Sequence, residues 1–189
     1  MRIKSNIPQV AEAYFKKLEK DAQQAAVRAM RSTMIHGEGK AKRIIAAEAY
    51  DTGEGLRSVT HDITVRDSRV TGHLFAAAPH MWWVEHGRKP GSFPNLDAMT
   101  KWVGRKLKER GVNTRVNLTY EQLKALATTG GKKATAQQKA YREHLSALYL
   151  IGRSIATRGT KEKRIFARLE AELLSFYRAE VMAELKKLR

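Results

Sequence analysis

The sequence contains no cysteine. Disulfide scaffolds and thiolate metal sites are thereby excluded, and stability has to come from packing. No apolar run approaches the ~20 residues that cross a bilayer. Nor does a basic start lead into an apolar stretch with a small-residue cleavage site, so neither membrane insertion nor secretion is expected, and the setting is expected to be cytosolic. Acidic side chains are scarce: 19 Asp and Glu stand against 36 Lys and Arg, leaving a net charge of +17 on 189 residues. Such a chain is expected beside a polyanion or inside an assembly that tolerates self-repulsion.

Motifs of nucleotide binding and covalent catalysis are missing as well. Gly53, Gly55, Gly87 and Gly91 are not followed by Gly-Lys-Ser or Gly-Lys-Thr, and no serine sits in a Gly-x-Ser-x-Gly elbow. Carboxylates are too scattered for an acid and base pair to be picked out. His80 and the Glu85-His86 pair superficially suggest a zinc protease, but the inverted motif needs a histidine at position 82, which holds Trp. His61 and His73 could face each other on neighbouring strands, an arrangement that is ordinarily just a polar surface pair. No enzyme activity, cofactor or metal is expected.

What is present points to a small α+β protein. With 42% apolar residues one modest core is feasible, and no long linker divides the chain, so residues 1–189 are expected to form a single domain. Pro8 suits a first helical turn, and Val10, Tyr14, Leu18, Ala22, Ala25 and Ala29 recur at spacings of three and four. That stripe predicts an amphipathic helix, with Gly37 and Gly39 expected to bend or interrupt it. After the turn formers at 51–55 the pattern changes to alternation. Val59, Ile63 and Val65, then Val70, Leu74 and Ala76, predict two strands joined at Arg66-Asp67-Ser68-Arg69. The first and last helices are the expected covers for this sheet.

Further on, Asn95 is a predicted cap for a helix with Leu96, Met99, Val103 and Leu107 inward, ending at Gly111. Thr119 and Gln122 have capping-box spacing for a short helix closed by Gly130-Gly131, and residues 132–138 look like a polar connector. Helical spacing returns at Tyr141, stops at Gly159, and restarts after Thr160 toward Leu188. Residues 95–140 are expected to be a helical and loop insertion.

Charge is unevenly distributed. Residues 1–50 carry ten basic and five acidic side chains, 51–94 carry five of each, and 95–189 carry twenty-one against nine. Lys101, Arg105 and Lys108 are expected on the side of their helix opposite the apolar stripe, with Arg110 beside them. This is a candidate contact for DNA or other phosphates by charge alone; a solvated lysine face is the plain alternative. Trp82 and Trp83 are adjacent, so in an extended segment only one enters a given core and the other is a candidate interface anchor.

Residues 51–94 as a whole resemble a known family. Thr52-Gly53-Glu54-Gly55-Leu56-Arg57-Ser58-Val59 is similar to the "TG.LR.S" motif, and Trp83-Val84-Glu85-His86-Gly87 to the aromatic-valine-Glu-x-Gly segment, of the tail-completion or neck proteins of tailed bacteriophages. Ile151-Gly152-Arg153-Ser154-Ile155, with Gly159 and Phe166, resembles that family's closing region. Arg88 departs from the pattern, standing where a threonine is frequent. The resemblance implies long terminal helices on a small antiparallel sheet and no catalysis. It implies a homo-oligomeric ring between the portal or connector and the tail tube or tail terminator, located in the virion neck and made in the host cytoplasm. On this reading Trp82, Trp83, Glu85 and Arg88 are candidate subunit or partner contacts, and the basic helix could face packaged DNA in the channel. The isolated protein is expected to associate weakly and to close its ring on the portal or tail. The alternative is a nonspecific nucleic-acid-binding protein.

Overall fold

A computed structural model describes residues 7–67, 69–129 and 134–188, with side chains from Glu12 onward. It is an α+β protein: seven helices and one two-stranded antiparallel sheet among the described residues. The chain separates into two compact units, the first made of Met1–His86 and Glu162–Arg189, the second of Gly87–Lys161. The single domain expected from sequence thus resolves into two. The inserted part is also longer than 95–140, because the helix after it turns inward on its own unit instead of joining the terminal helices.

In the first unit, α1 (Ile7–Glu48) pairs antiparallel with α7 (Ile165–Lys186). Ion pairs mark the seam: Arg28 with Glu184, Lys40 with Glu172, and Glu48 with Arg168. His36 stacks on Phe176, ring centroids 4.3 Å apart. α1 runs unbroken through Gly37 and Gly39, contrary to the expected interruption. Gly37 answers a packing need: a Cβ there would lie 2.9 Å from Leu173 Cδ1 and 3.1 Å from Leu74 Cδ2. Glycine lets α7 and the sheet approach α1 closely, which outweighs its roughly 1 kcal/mol helix penalty.

The hairpin pairs β1 (Val59–Arg66) with β2 (Arg69–Ala76) in the register Val59↔Ala76, Ile63↔Gly72 and Val65↔Val70. Asp67 takes a left-handed φ of 47° at the turn; Ser68 lies outside the described residues. The "TG.LR.S" segment forms a short helix, α2 (Glu54–Arg57), ahead of the hairpin. Gly53 enters it at φ 76°, the Arg57 guanidinium donates to Thr52 O, and Ser58 Oγ donates to Gly55 O. Another helix, α3 (His80–His86), follows the hairpin. The core gathers Ala41, Ile45, Val59, Ala78, Met81, Ile165 and Leu169.

The second unit is helical: α4 (Leu96–Glu109), α5 (Tyr120–Thr128) and α6 (Ala136–Arg158). Asn95 caps α4 through Asp97 N–H and Ala98 N–H, and Thr119 with Gln122 forms the expected capping box on α5. The expected Gly130-Gly131 stop lies outside the described residues. A second capping box, Thr135 with Gln138, starts α6 inside the segment read as a connector. Val103, Leu107, Leu118, Leu123, Tyr141 and Leu148 make this unit's own core. Its two ends are tied together, since Arg88 and Thr160 exchange backbone hydrogen bonds at 3.0 and 2.9 Å.

Candidate functional site

The tryptophan pair lies on α3, not on an extended segment. Successive helical side chains diverge by about 100°, so one inward position suffices, and Met81, 2% exposed, takes it. Trp82 and Trp83 are left 61% and 52% exposed. Trp82 rests against His86 with centroids 3.9 Å apart, and His86 Nδ1–H donates to Trp82 O.

Glu85 has a structural task. Its carboxylate accepts from Phe166 N–H at 3.1 Å and from Ala167 N–H at 3.1 Å. α7 begins at Arg164, whose left-handed φ of 51° comes with no side-chain cap of its own. Glu85 therefore supplies the negative charge and acceptors that a helix N-terminus lacks. Two backbone bonds, Lys163 N–H to Val84 O and Arg164 N–H to Glu85 O, hold the two segments in place. Arg88 belongs to the second unit, where its guanidinium donates to Ser92 Oγ at 2.8 Å and to Phe93 O at 3.1 Å. Glu85 and Arg88, expected as partner contacts, are thus both engaged within their own units, while Trp82 and Trp83 face solvent.

One apolar stretch escaped sequence reasoning. The α1 stripe is fully buried at Ala25 and Ala29, yet every side chain from 12 to 20 is exposed. Tyr14, Phe15 and Leu18 stand 63%, 65% and 45% open. Burial along α1 begins after residue 20, so α1 projects beyond its cover as an arm of about 20 Å from Ile7, at 1.5 Å per residue. Farther along the same unit lies an apolar groove of about 440 Å³, lined by Met30, Met34, Leu74, Leu173, Leu174 and Tyr177. Only the length of α7 relative to α1 shows that the seam runs out.

The unit division also sharpens the charge. Gly87–Lys161 carries sixteen Lys and Arg against four Asp and Glu, a net +12 out of the chain's +17. On α4, Lys101, Lys108 and Arg110 are exposed, whereas Arg105 is half-buried and already partnered. Thr100, Val103, Gly104 and Leu107 point inward. The 100° step places Lys101, Arg105 and Lys108 together on the side of α4 away from Leu96, Met99, Val103 and Leu107, with Trp102 and Glu109 beside them.

The histidines separate. His61 pairs across the sheet with Leu74, and His73 with Asp62, so the two lie on opposite faces and do not meet. His61 Nδ1 bonds the Glu38 carboxylate at 2.8 Å. Lys42 first, then His61, holds that carboxylate below its usual range. His144 is fully buried in the second unit: Nε2–H donates to Thr100 O at 3.0 Å, and Nδ1 accepts from Thr114 Oγ1 at 2.9 Å. Desolvation pushes its pKa down. No group of three or more His, Asp or Glu among the described residues is placed to hold a metal ion. No helix among them is long and apolar enough to cross a membrane.

Comparison with protein-family models, with curated proteins and with solved structures finds no match to this chain.

Proposed function

We propose that this chain is a structural subunit of the head-to-tail neck of a tailed bacteriophage. It forms a ring between the portal or connector and the tail tube or tail terminator during virion assembly, and it performs no catalysis. The observation that carries this reading is the α1 arm, whose exposed stripe of Tyr14 and Leu18 continues the buried line of Ala25 and Ala29 with nothing over it among the described residues. An exposed apolar seam continuous with a core is what an assembly subunit leaves open for its neighbour. The arm cannot fold back onto its own groove, because Leu18 and Met30 lie about 18 Å apart along one unbroken helix. A second copy can bring its arm there. Arm into groove is a head-to-tail contact, the kind that closes rings. The resemblance of the "TG.LR.S" and Trp-Val-Glu-His-Gly segments to tail-completion proteins supplies the location in the virion, and Trp82 and Trp83 are the proposed anchors for the portal or tail.

Sedimentation of the purified protein, alone and with portal or tail, tests this. Y14K/L18K should keep the helical signal and melting temperature yet fail to enter rings on the portal, and W82A should impair tail joining. Rings that form unchanged with Y14K/L18K would overturn the arm's role. Absence of the protein from the neck of intact virions would overturn the whole reading. A second reading, nonspecific nucleic-acid binding, is favoured by one observation, the +12 concentrated on Gly87–Lys161.

A further inference from the structure

We infer that the outer face of α6 is a contact surface for the phosphate backbone of duplex nucleic acid; this rests on the second reading and moves the contact away from the α4 residues singled out by sequence. α6 turns Ala140, Tyr141, His144, Leu148 and Gly152 inward. The 100° step then gathers Lys139, Arg142, Ser146, Tyr149, Leu150 and Arg153 on the opposite side, and all six are exposed. Glu143, at the margin of this face, is its one neighbouring carboxylate on α6. Arg142 Nε–H donates to Ala127 O at 3.1 Å, which anchors that side chain without neutralising it. Lys139 and Arg153 have no side-chain hydrogen bond or ion pair among the described residues.

The geometry selects the partner. Lys139 and Arg153 are fourteen residues apart on one uninterrupted helix, a straight span of about 21 Å. Duplex DNA presents a charge every ~3.4 Å along each strand, so cations carried on a rigid helix meet a rigid line of anions with no backbone to be ordered on either side. The hydroxyls of Ser146 and Tyr149 lie between the cations and are donors suited to phosphate oxygens. A bilayer surface is a poorer fit. The apolar face that an interfacial helix would insert is already used in this unit's core. An acidic protein lacks the regular spacing. Contacts made to the phosphate backbone by charge carry no base information, so binding is indifferent to sequence.

The test is fluorescence anisotropy of the full-length protein with a labelled duplex of arbitrary sequence, about two helical turns long, titrated across salt concentrations. K139E/R153E should weaken binding more than about tenfold and lower the slope of log affinity against log salt by about two. K139R/R153K should bind like the parent. R178E/K186E makes the same change in net charge on α7 and should leave the slope within about one of the parent. Equal losses from R178E/K186E, an intact slope in K139E/R153E, loss confined to K101E/K108E, or tighter binding to acidic vesicles than to duplex would each overturn the assignment. Ring formation with Y14K/L18K is read separately by sedimentation, so either proposal can fail alone.

Discussion

Glu85 shows how one side chain can look like a surface feature in sequence and act as a structural joint. Eighty-one residues separate it from the Phe166 N–H it accepts. Glu85→Ala removes that cap and should cost about 0.5–2 kcal/mol by chemical denaturation, whereas Glu85→Gln should retain part of it as an acceptor without charge. Gly159 has no room for a side chain. At φ 73° its Cβ would sit 2.1 Å from Arg88 O, so Gly159→Ala must break the bridge that ties the ends of the second unit, and a loss of more than about 2 kcal/mol is expected in thermal melts. His144 makes the second unit acid-sensitive. Its folded pKa lies below the ordinary 6.5 because burial disfavours the charged ring. The unfolded chain therefore binds the proton first, and stability is full above about pH 6.5 and falls as pH drops from there through the folded value. Melting curves between pH 7.5 and 5 should show this decline, and His144→Leu should flatten it, at the cost of leaving Thr114 Oγ1 without its partner.

Among the elements, helices whose signals are local were legible. Asn95, Thr119 with Gln122, and Gly159 mark their boundaries as the spacing predicts, because a cap bonds only its own first or last turn. The same logic was available at Thr135 and Gln138 and locates the start of α6; Thr135→Ala should cost about 1 kcal/mol of second-unit stability. Elements set by distant contacts were not legible. α1 passes through Gly37 because Leu173 and Leu74 fill the space a side chain would take. α3 is helical where an extended segment was read at Trp82 and Trp83, with Met81 in the core.

At the scale of the whole molecule, the second unit behaves as an insertion. Arg88 and Thr160 are paired at its base, while in the first unit Val84 and Glu85 are paired with Lys163 and Arg164. Both cut ends are thus already closed within their own units. Replacing Gly87–Lys161 by a short glycine linker should leave a cooperatively folded first unit with net charge near +5, from +17 less +12. Circular dichroism should show the α1 and α7 helices intact, and duplex binding should disappear. Noncooperative melting of that variant would mean the units do not fold separately.

Composition and local spacing alone determined the α+β class, the terminal helices, the hairpin with its turn and the excess of positive charge, since each depends on residue types or on neighbours within a few positions. The tertiary structure decided where the unit boundary falls, that Glu85 serves α7, that Tyr14 and Leu18 outrun their partner helix, and that most of the charge belongs to one unit. These depend on which distant segments meet and on the relative lengths of the elements that do.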